Sequence, residues 1–308
     1  MKWLFIIDPL ETLDPHSDTS YCLMQETCRR GIKVFHTSIE RIRFHESIRA
    51  VVAEASLEGG MLASTKPVDS QLDDFDLIFI RKEPPYNLQY HYALQLLSLS
   101  QTPVVNAPQA LRDFNEKLMI LDFPEWIPSA LVASDKKVIL DFLNKHEVIV
   151  LKALTSLQGR EVRKLAVTAR NKDAVIDSFT QNGEQPVMVQ RFIPEIAAGN
   201  KRILLLNGEI LGAYNCLPPP DDYLTSIFRK GVKIEKTTIT PREQDALQAL
   251  APFLRKHGLH FVGVDMIGGF LSEINITCPG NFFTANQTQR QALEIPTIDY
   301  FQQLVSSL

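Results

Sequence analysis

The sequence predicts an α/β fold, because short apolar runs bounded by turn residues alternate with longer stretches of helical spacing. The pattern begins at once. Trp3 to Ile7 is an apolar run, Ser20 to Arg30 has helical spacing, Gly31 stops the helix, and Lys33 to Phe35 reads as a second strand, which together predict a βαβ opening. With 308 residues and an apolar fraction of 45%, the chain has material for cores in two or three domains.

Further strands are expected at Leu77 to Ile80, Val148 to Leu151, Val187 to Gln190, Ile203 to Leu206 and Phe261 to Met266. The run Pro103-Val104-Val105-Asn106-Ala107-Pro108 closes the first unit, and a charged helix is expected from near Gln109. The prolines of Leu217-Pro218-Pro219-Pro220-Asp221-Asp222 forbid regular helix and mark a surface loop inside the last domain.

Composition narrows the function classes. The formal charge of −4 comes from 32 basic and 36 acidic residues spread along the chain, so no basic stripe points to nucleic acid or an anionic membrane, and small molecules are the expected partners. Cys22, Cys28, Cys216 and Cys278 are scattered, with no C-x-x-C pair and no zinc-like His spacing, which suits reduced thiols in the cytoplasm. The N-terminal apolar run breaks at Asp8-Pro9, too short for a signal-peptide core or a membrane span.

The segment from Phe261 to Thr277 is two apolar strands around Gly268-Gly269, a β-hairpin. Glu273 and Asn275 are two apart, so they leave one face of a strand that is otherwise apolar. With Gly268 to Phe270 as a three-residue loop, Ile267 faces Leu271 and Asp265 faces Glu273. Two carboxylates and an amide oxygen are hard ligands suited to Mg²⁺ with a nucleoside triphosphate. Spacing alone equally allows Asp265 to cap a turn while Glu273 and Asn275 face water. Lys152 ends the apolar run Val148 to Leu151, where an ammonium either snorkels to solvent or meets an anion such as phosphate.

At this hairpin the chain resembles the prokaryotic glutathione synthetases, in Gly263-Val264-Asp265 through Glu273-Ile274-Asn275 to Thr277-Cys278-Pro279. The likeness recurs, in order, at Arg81-Lys82-Glu83-Pro84-Pro85-Tyr86, at Leu111-Arg112-Asp113-Phe114-Asn115-Glu116-Lys117, and at Gly199-Asn200-Lys201-Arg202 with Asn207-Gly208-Glu209. The resemblance implies an ATP-grasp fold in three parts: an N-terminal substrate-side α/β domain (1–112), a central lid (113–189) and a C-terminal catalytic domain (190–308). It implies ATP and Mg²⁺, with Mn²⁺ as a substitute. Lys117 and Lys152 match phosphate-facing lysines, and Gln190, Arg191, Phe192 and Ile193 match the hinge that holds adenine. Asp265, Glu273 and Asn275 match the metal ligands, and Arg202 matches an arginine near the acyl-phosphate site. Asp8, Ser20 and Arg81 match the acceptor side, although Asp18 or Ser20 serves equally as a helix cap.

The implied reaction is carboxylate–amine ligation. ATP phosphorylates the terminal carboxylate of a γ-glutamylcysteine-like acceptor, and a glycine-like amine attacks the acyl phosphate, with positioning and charge neutralisation as the catalytic means. A homo-oligomer is a further expectation from the family. The chain departs from the family motifs at the phosphate loop, Thr155 to Arg160, which keeps one glycine, and at the substrate loop, Leu224 to Gly231. There and nearby, a family lysine falls on Ala197, arginines on Leu217 and Thr225, and an asparagine on Ile227. Three readings follow: a ligase, with the family's acceptor or an exchanged one; a catalytically weak paralogue that binds nucleotide or a γ-glutamyl peptide; and a scaffold that uses no nucleotide.

Overall fold

The computed structural model describes residues 1–154, 162–220, 222–227 and 229–307. The opening is the expected βαβ unit: β1 (Lys2–Ile6), α1 (Thr19–Arg29) and β2 (Lys33–Thr37), with β1 and β2 parallel. Asp18 is the α1 N-cap, its Oδ1 accepting from the Tyr21 N–H at 2.8 Å. Next comes an antiparallel group that sequence patterning did not single out: β3 (Ile42–His45), β4 (Ser47–Glu58), β5 (Met61–Ser64) and β6 (Val68–Gln71), all pairing with β4. Then β7 (Leu77–Ile80) lies parallel beside β1, followed by α2 (Leu88–Leu97), β8 (Val104–Val105) and α3 (Pro108–Asp113). The sheet order is β3-β4-β2-β1-β7-β8. Strands β1 and β7 are nearly wholly buried, which is why they read as continuous apolar runs.

A second, antiparallel sheet has the order β11-β10-β12-β9. It comprises β9 (Ala130–Ala133), β10 (Val148–Ala153), β11 (Val162–Ala166) and β12 (Val187–Arg191), with α4 (Lys136–His146) and α5 (Lys172–Thr180). Ile149, Leu151, Leu165, Val187 and Val189 pack with Ile139, Leu143 and Ile176 of the helices. The period of two then places Lys152, Met188 and Gln190 on the other face.

The third sheet, β15-β14-β13-β16-β17, carries β13 (Asn200–Leu206), β14 (Glu209–Leu217), β15 (Lys233–Glu235), β16 (Phe261–Ile267) and β17 (Phe270–Asn275). α6 (Pro241–Lys256) covers one face, where Ile203, Leu205, Val262, Val264 and Ile274 join Leu247, Leu250 and Leu254 in one core. Its start is set by a capping box between Thr240 and Glu243, with Pro241 in the first turn. α7 (Phe282–Gln289) and α8 (Glu294–Ser306) complete the chain, and no helix among the described residues is long and apolar enough to cross a membrane.

The β16–β17 hairpin corrects one expectation. Ile267 faces Phe270, not Leu271, around a two-residue Gly268-Gly269 turn, because both glycines take positive φ (+56° and +76°) as a tight hairpin turn requires. Asp265 still faces Glu273. The ladder shifts between Asp265 and Met266, leaving Ser272 as the extra residue of a β-bulge.

Asn106 fastens this hairpin to the first sheet. Its Nδ2 donates to the carbonyls of Phe261 (2.7 Å) and Ile276 (2.8 Å), and its Oδ1 accepts from the Phe261 N–H (2.9 Å), all out of solvent. Replacing it orphans three buried backbone groups, so Asn106→Ala should lower unfolding free energy by about 2–4 kcal/mol, read from urea midpoints at unchanged m-value.

Candidate active site

Register builds the site. Tyr214 on β14 pairs with Arg202 on β13, Arg202 with Asp265 on β16, and Asp265 with Glu273 on β17, so four side chains leave one face in a row across the sheet. Asn275, two residues beyond Glu273, shares that face. Arg202 grips Asp265 through both nitrogens of its fork, Nε to Oδ1 at 2.7 Å and Nη2 to Oδ2 at 2.9 Å. Burial works against the guanidinium's charge, but the Asp265 carboxylate overcomes it and holds the group protonated. Asn275 Nδ2 donates to Asp265 Oδ2 at 3.1 Å and to the Gly263 carbonyl at 3.2 Å.

The two lysines arrive from elsewhere. Lys117 follows α3, is buried, and places Nζ 3.1 Å from Glu273 Oε1. Lys152, near the end of β10, donates from Nζ to the Ser272 carbonyl at 3.1 Å and to Ser272 Oγ at 3.0 Å. Burial pulls its pKa down to about 8; Glu273 opposes the fall and Lys117 adds to it.

Two residues given no role from sequence brace the site. Glu116 Oε1 accepts from the N–H groups of Ile276 (2.8 Å) and Thr277 (2.9 Å), pinning the chain just past β17. Burial raises its pKa, as does the nearby Glu273. Asn115 donates to the Leu154 carbonyl at 3.0 Å, tying the end of β10 to the same segment, while its Oδ1 accepts from Lys117 N–H at 3.0 Å. The signal was available, since both sit directly before Lys117 in a motif already singled out.

Of the hinge residues, Gln190 lies on the Lys152 face and is buried, and its Nε2 finds no hydrogen-bond partner among the described residues. Phe192 lies under the Lys164 ammonium, 3.9 Å from ring centre to Nζ, and Arg191 reaches the Phe270 ring at 6.0 Å. Ile193 abuts the hairpin turn, where a Cβ on Gly268 would come within 2.8 Å of Glu195 Cβ and 3.3 Å of Ile193 Cγ2. Of the residues matched to the acceptor side, Arg81 and Ser20 come together: Arg81 Nε donates to Ser20 Oγ at 3.1 Å and Nη1 to the Pro279 carbonyl at 2.5 Å. Asp8 is engaged separately, by Lys82 Nζ (2.8 Å) and the Glu83 N–H (3.0 Å).

No group of three or more His, Cys, Asp or Glu among the described residues could hold a metal. Asp265, Glu273 and Asn275 offer two carboxylates and an amide oxygen instead, a hard donor set that fits Mg²⁺ once the Asn275 amide turns its oxygen inward. Burial pushes the Cys216 thiol up to about 11 and Cys278 well above its usual range, so neither is a nucleophilic thiolate at neutral pH. The phosphate loop Thr155 to Arg160 and Phe228 of the substrate loop lie outside the described residues. Just before and within the described part of that loop, Asp222 takes the Arg229 Nε at 2.7 Å, Tyr223 OH accepts from the Lys164 N–H at 3.1 Å, and Ile227 packs against the cluster containing Tyr214 and Phe282.

Comparison with known proteins agrees with this arrangement. The family described as "Prokaryotic glutathione synthetase, N-terminal domain" matches residues 1–112, and "Prokaryotic glutathione synthetase, ATP-grasp domain" matches residues 116–290. A glutathione synthetase of Synechocystis sp. is 38% identical over 295 residues, covering 91% of this chain and 92% of that one. One of Gloeobacter violaceus is 36% identical, covering 97% and 96%. Among solved structures, D-cycloserine synthetase superposes with a TM-score of 0.67 at 15% identity, covering 99% of each chain, a likeness of fold.

The buried Lys152 makes a stability prediction for nucleotide-free protein. Its folded pKa, about 8, lies below the ordinary 10.5. The unfolded chain therefore binds the proton more tightly, and the charge penalises folding fully below pH 8, less as pH rises toward 10.5. Lys152→Met should raise unfolding free energy at pH 7 by up to about 3 kcal/mol, the gain over wild type shrinking above pH 8 in urea titrations.

Proposed function

The chain belongs to the prokaryotic glutathione synthetase family, and we propose that it joins the amine of glycine to the terminal carboxylate of γ-glutamylcysteine. It is an ADP-forming ATP-grasp ligase. The observation that carries the proposal is the convergence of three cations from separate segments on the facing carboxylates' strands: Arg202 on Asp265, Lys117 on Glu273, and Lys152 on the adjacent Ser272.

Asp265, Glu273 and Asn275 would hold Mg²⁺, with Mn²⁺ as a substitute; when bound, the ion neutralises phosphate oxygens as charge builds on the transferring phosphoryl group. Lys117 and Lys152 supply point charges to the same phosphates, and their buried settings strengthen that attraction. Adenine lies along Gln190, Arg191, Phe192 and Ile193, where the orphaned Gln190 amide has a donor to give. Arg202, oriented by Asp265, stabilises the acyl phosphate formed on the acceptor. The acceptor binds on the side of Arg81 and Ser20, with Asp8 fixing the neighbouring Lys82–Glu83 turn.

The proposal extends to a three-part division at 1–112, 113–189 and 190–308, to a homo-oligomer in the cytoplasm, and to partners that are small molecules rather than nucleic acid or membrane. The weak-paralogue reading is not favoured, because the curated relatives that match nearly full length are glutathione synthetases.

The test is ADP release from purified protein with Mg-ATP, γ-glutamylcysteine and glycine. Release should require both substrates, and Asp265→Asn or Glu273→Gln should each cut kcat by roughly 100-fold or more. ADP release indifferent to glycine, or unaffected by those substitutions, would sink the assignment.

A further inference from the structure

The bulge on β17 is more than a register device. Ser272 is its extra residue, and a bulged residue is left unmatched in the ladder, free to present its carbonyl sideways. Here both oxygens of Ser272 are used by one group: Lys152 Nζ sits 3.1 Å from the carbonyl and 3.0 Å from Oγ. The two residues are only 9% exposed each, and they belong to different sheets, 120 positions apart. A lysine ammonium ends a flexible four-carbon stem and carries three donors; left alone, it samples many positions around a phosphate. Two acceptors on one rigid strand remove that freedom while leaving a donor for a ligand.

We infer that Ser272 is a positioning residue: its bulge carbonyl and hydroxyl fix the Lys152 ammonium beside Glu273, aimed at a phosphate oxygen of the bound nucleotide. The inference rests on the nucleotide-binding part of the function above. It adds a residue that no motif singled out, and it gives the extra residue of β17 two consequences. The insertion returns Asp265 and Glu273 to facing positions, and the inserted side chain aims the lysine.

The test uses the full chain with Ser272→Ala, Ser272→Thr, Lys152→Met and the Ser272→Ala/Lys152→Met double variant. Affinity for Mg-AMPPNP is measured by calorimetry, melting is measured without nucleotide, and kcat and KM are measured with the full substrate set. Ser272→Ala should weaken AMPPNP binding and lower kcat/KM for ATP, each roughly tenfold, with KM for glycine unchanged. Ser272→Thr, which keeps the hydroxyl, should bind like wild type. In the Lys152→Met background, Ser272→Ala should add nothing, since the hydroxyl acts through the ammonium. The inference is overturned if Ser272→Ala binds AMPPNP like wild type, or if its effect persists undiminished without Lys152, as a merely structural role requires. Wild-type protein that binds AMPPNP yet releases no ADP with γ-glutamylcysteine and glycine would overturn the ligation reading alone, because the binding cycle still decides Ser272. Wild-type protein that does not bind AMPPNP overturns both.

Discussion

Two carboxylates facing one another on adjacent strands repel, and in this protein that repulsion is the constraint around which the rest is arranged. Asp265 and Glu273 are direct cross-strand neighbours, and Glu116 brings a third acid close by. The chain answers with Arg202 on Asp265, Lys117 on Glu273, and Lys152 one residue away on Ser272. Removing one partner of a buried ion pair costs on the order of 3–5 kcal/mol because the other charge is stranded. The three cations come from β13, from the segment after α3 and from β10. Close approach of those elements is therefore what sets positive charge against the facing acids.

The same hairpin is also held by hydrogen bonds and close contacts that do not involve the three cations. Asn106 binds the start of β16 and the chain beyond β17, Glu116 takes the two N–H groups beyond β17, and the Gly268 turn lies against Ile193 and Glu195 at the end of β12. A site whose residues stand on strands, with backbone and side chains braced by hydrogen bonds, loses little freedom when a ligand arrives. The close contact at Gly268 also joins the segment after β12 to the strands that carry Asp265 and Glu273.

Much of this was legible in the sequence because strand periodicity is a strict rule. Glu273 and Asn275 had to share a face, and an odd residue had to exist for Asp265 to join them. The sequence did not reveal where that residue sat: a three-residue loop and a two-residue loop with a bulge have the same length, and only the backbone geometry of Gly268-Gly269 separates them. The β3 to β6 group escaped for another reason. Of these strands β3, β5 and β6 are four residues each and mostly exposed or half-buried, so they bury too little to leave a pattern, whereas the 12-residue β4 does bury side chains along most of its length. Asp18 and Ser20 were interchangeable as caps on paper. In space Asp18 caps α1, and Ser20 is left to accept from Arg81, 61 positions away, a contact no local signal encodes.

The positions at which the family resemblance implies departures follow the same division between strand and connection. Arg202, Asp265 and Glu273 lie within ladders, where a shift by one residue turns every side chain to the wrong face, so their placement is fixed together or not at all. Ala197 lies in the short turn Pro194–Ala198, Leu217 is the last residue of β14, and Thr225 and Ile227 belong to the connection that follows. Such positions sit outside or at the ends of the ladders, and their side chains can change without moving the row. The connection has satisfied itself by other means: Asp222 holds Arg229, Tyr223 meets the backbone of β11, and Ile227 joins an apolar cluster. Register thus fixes the row of Arg202, Asp265 and Glu273 as a unit, while the two lysines are brought to it by other elements and the connecting segments are free to carry different chemistry.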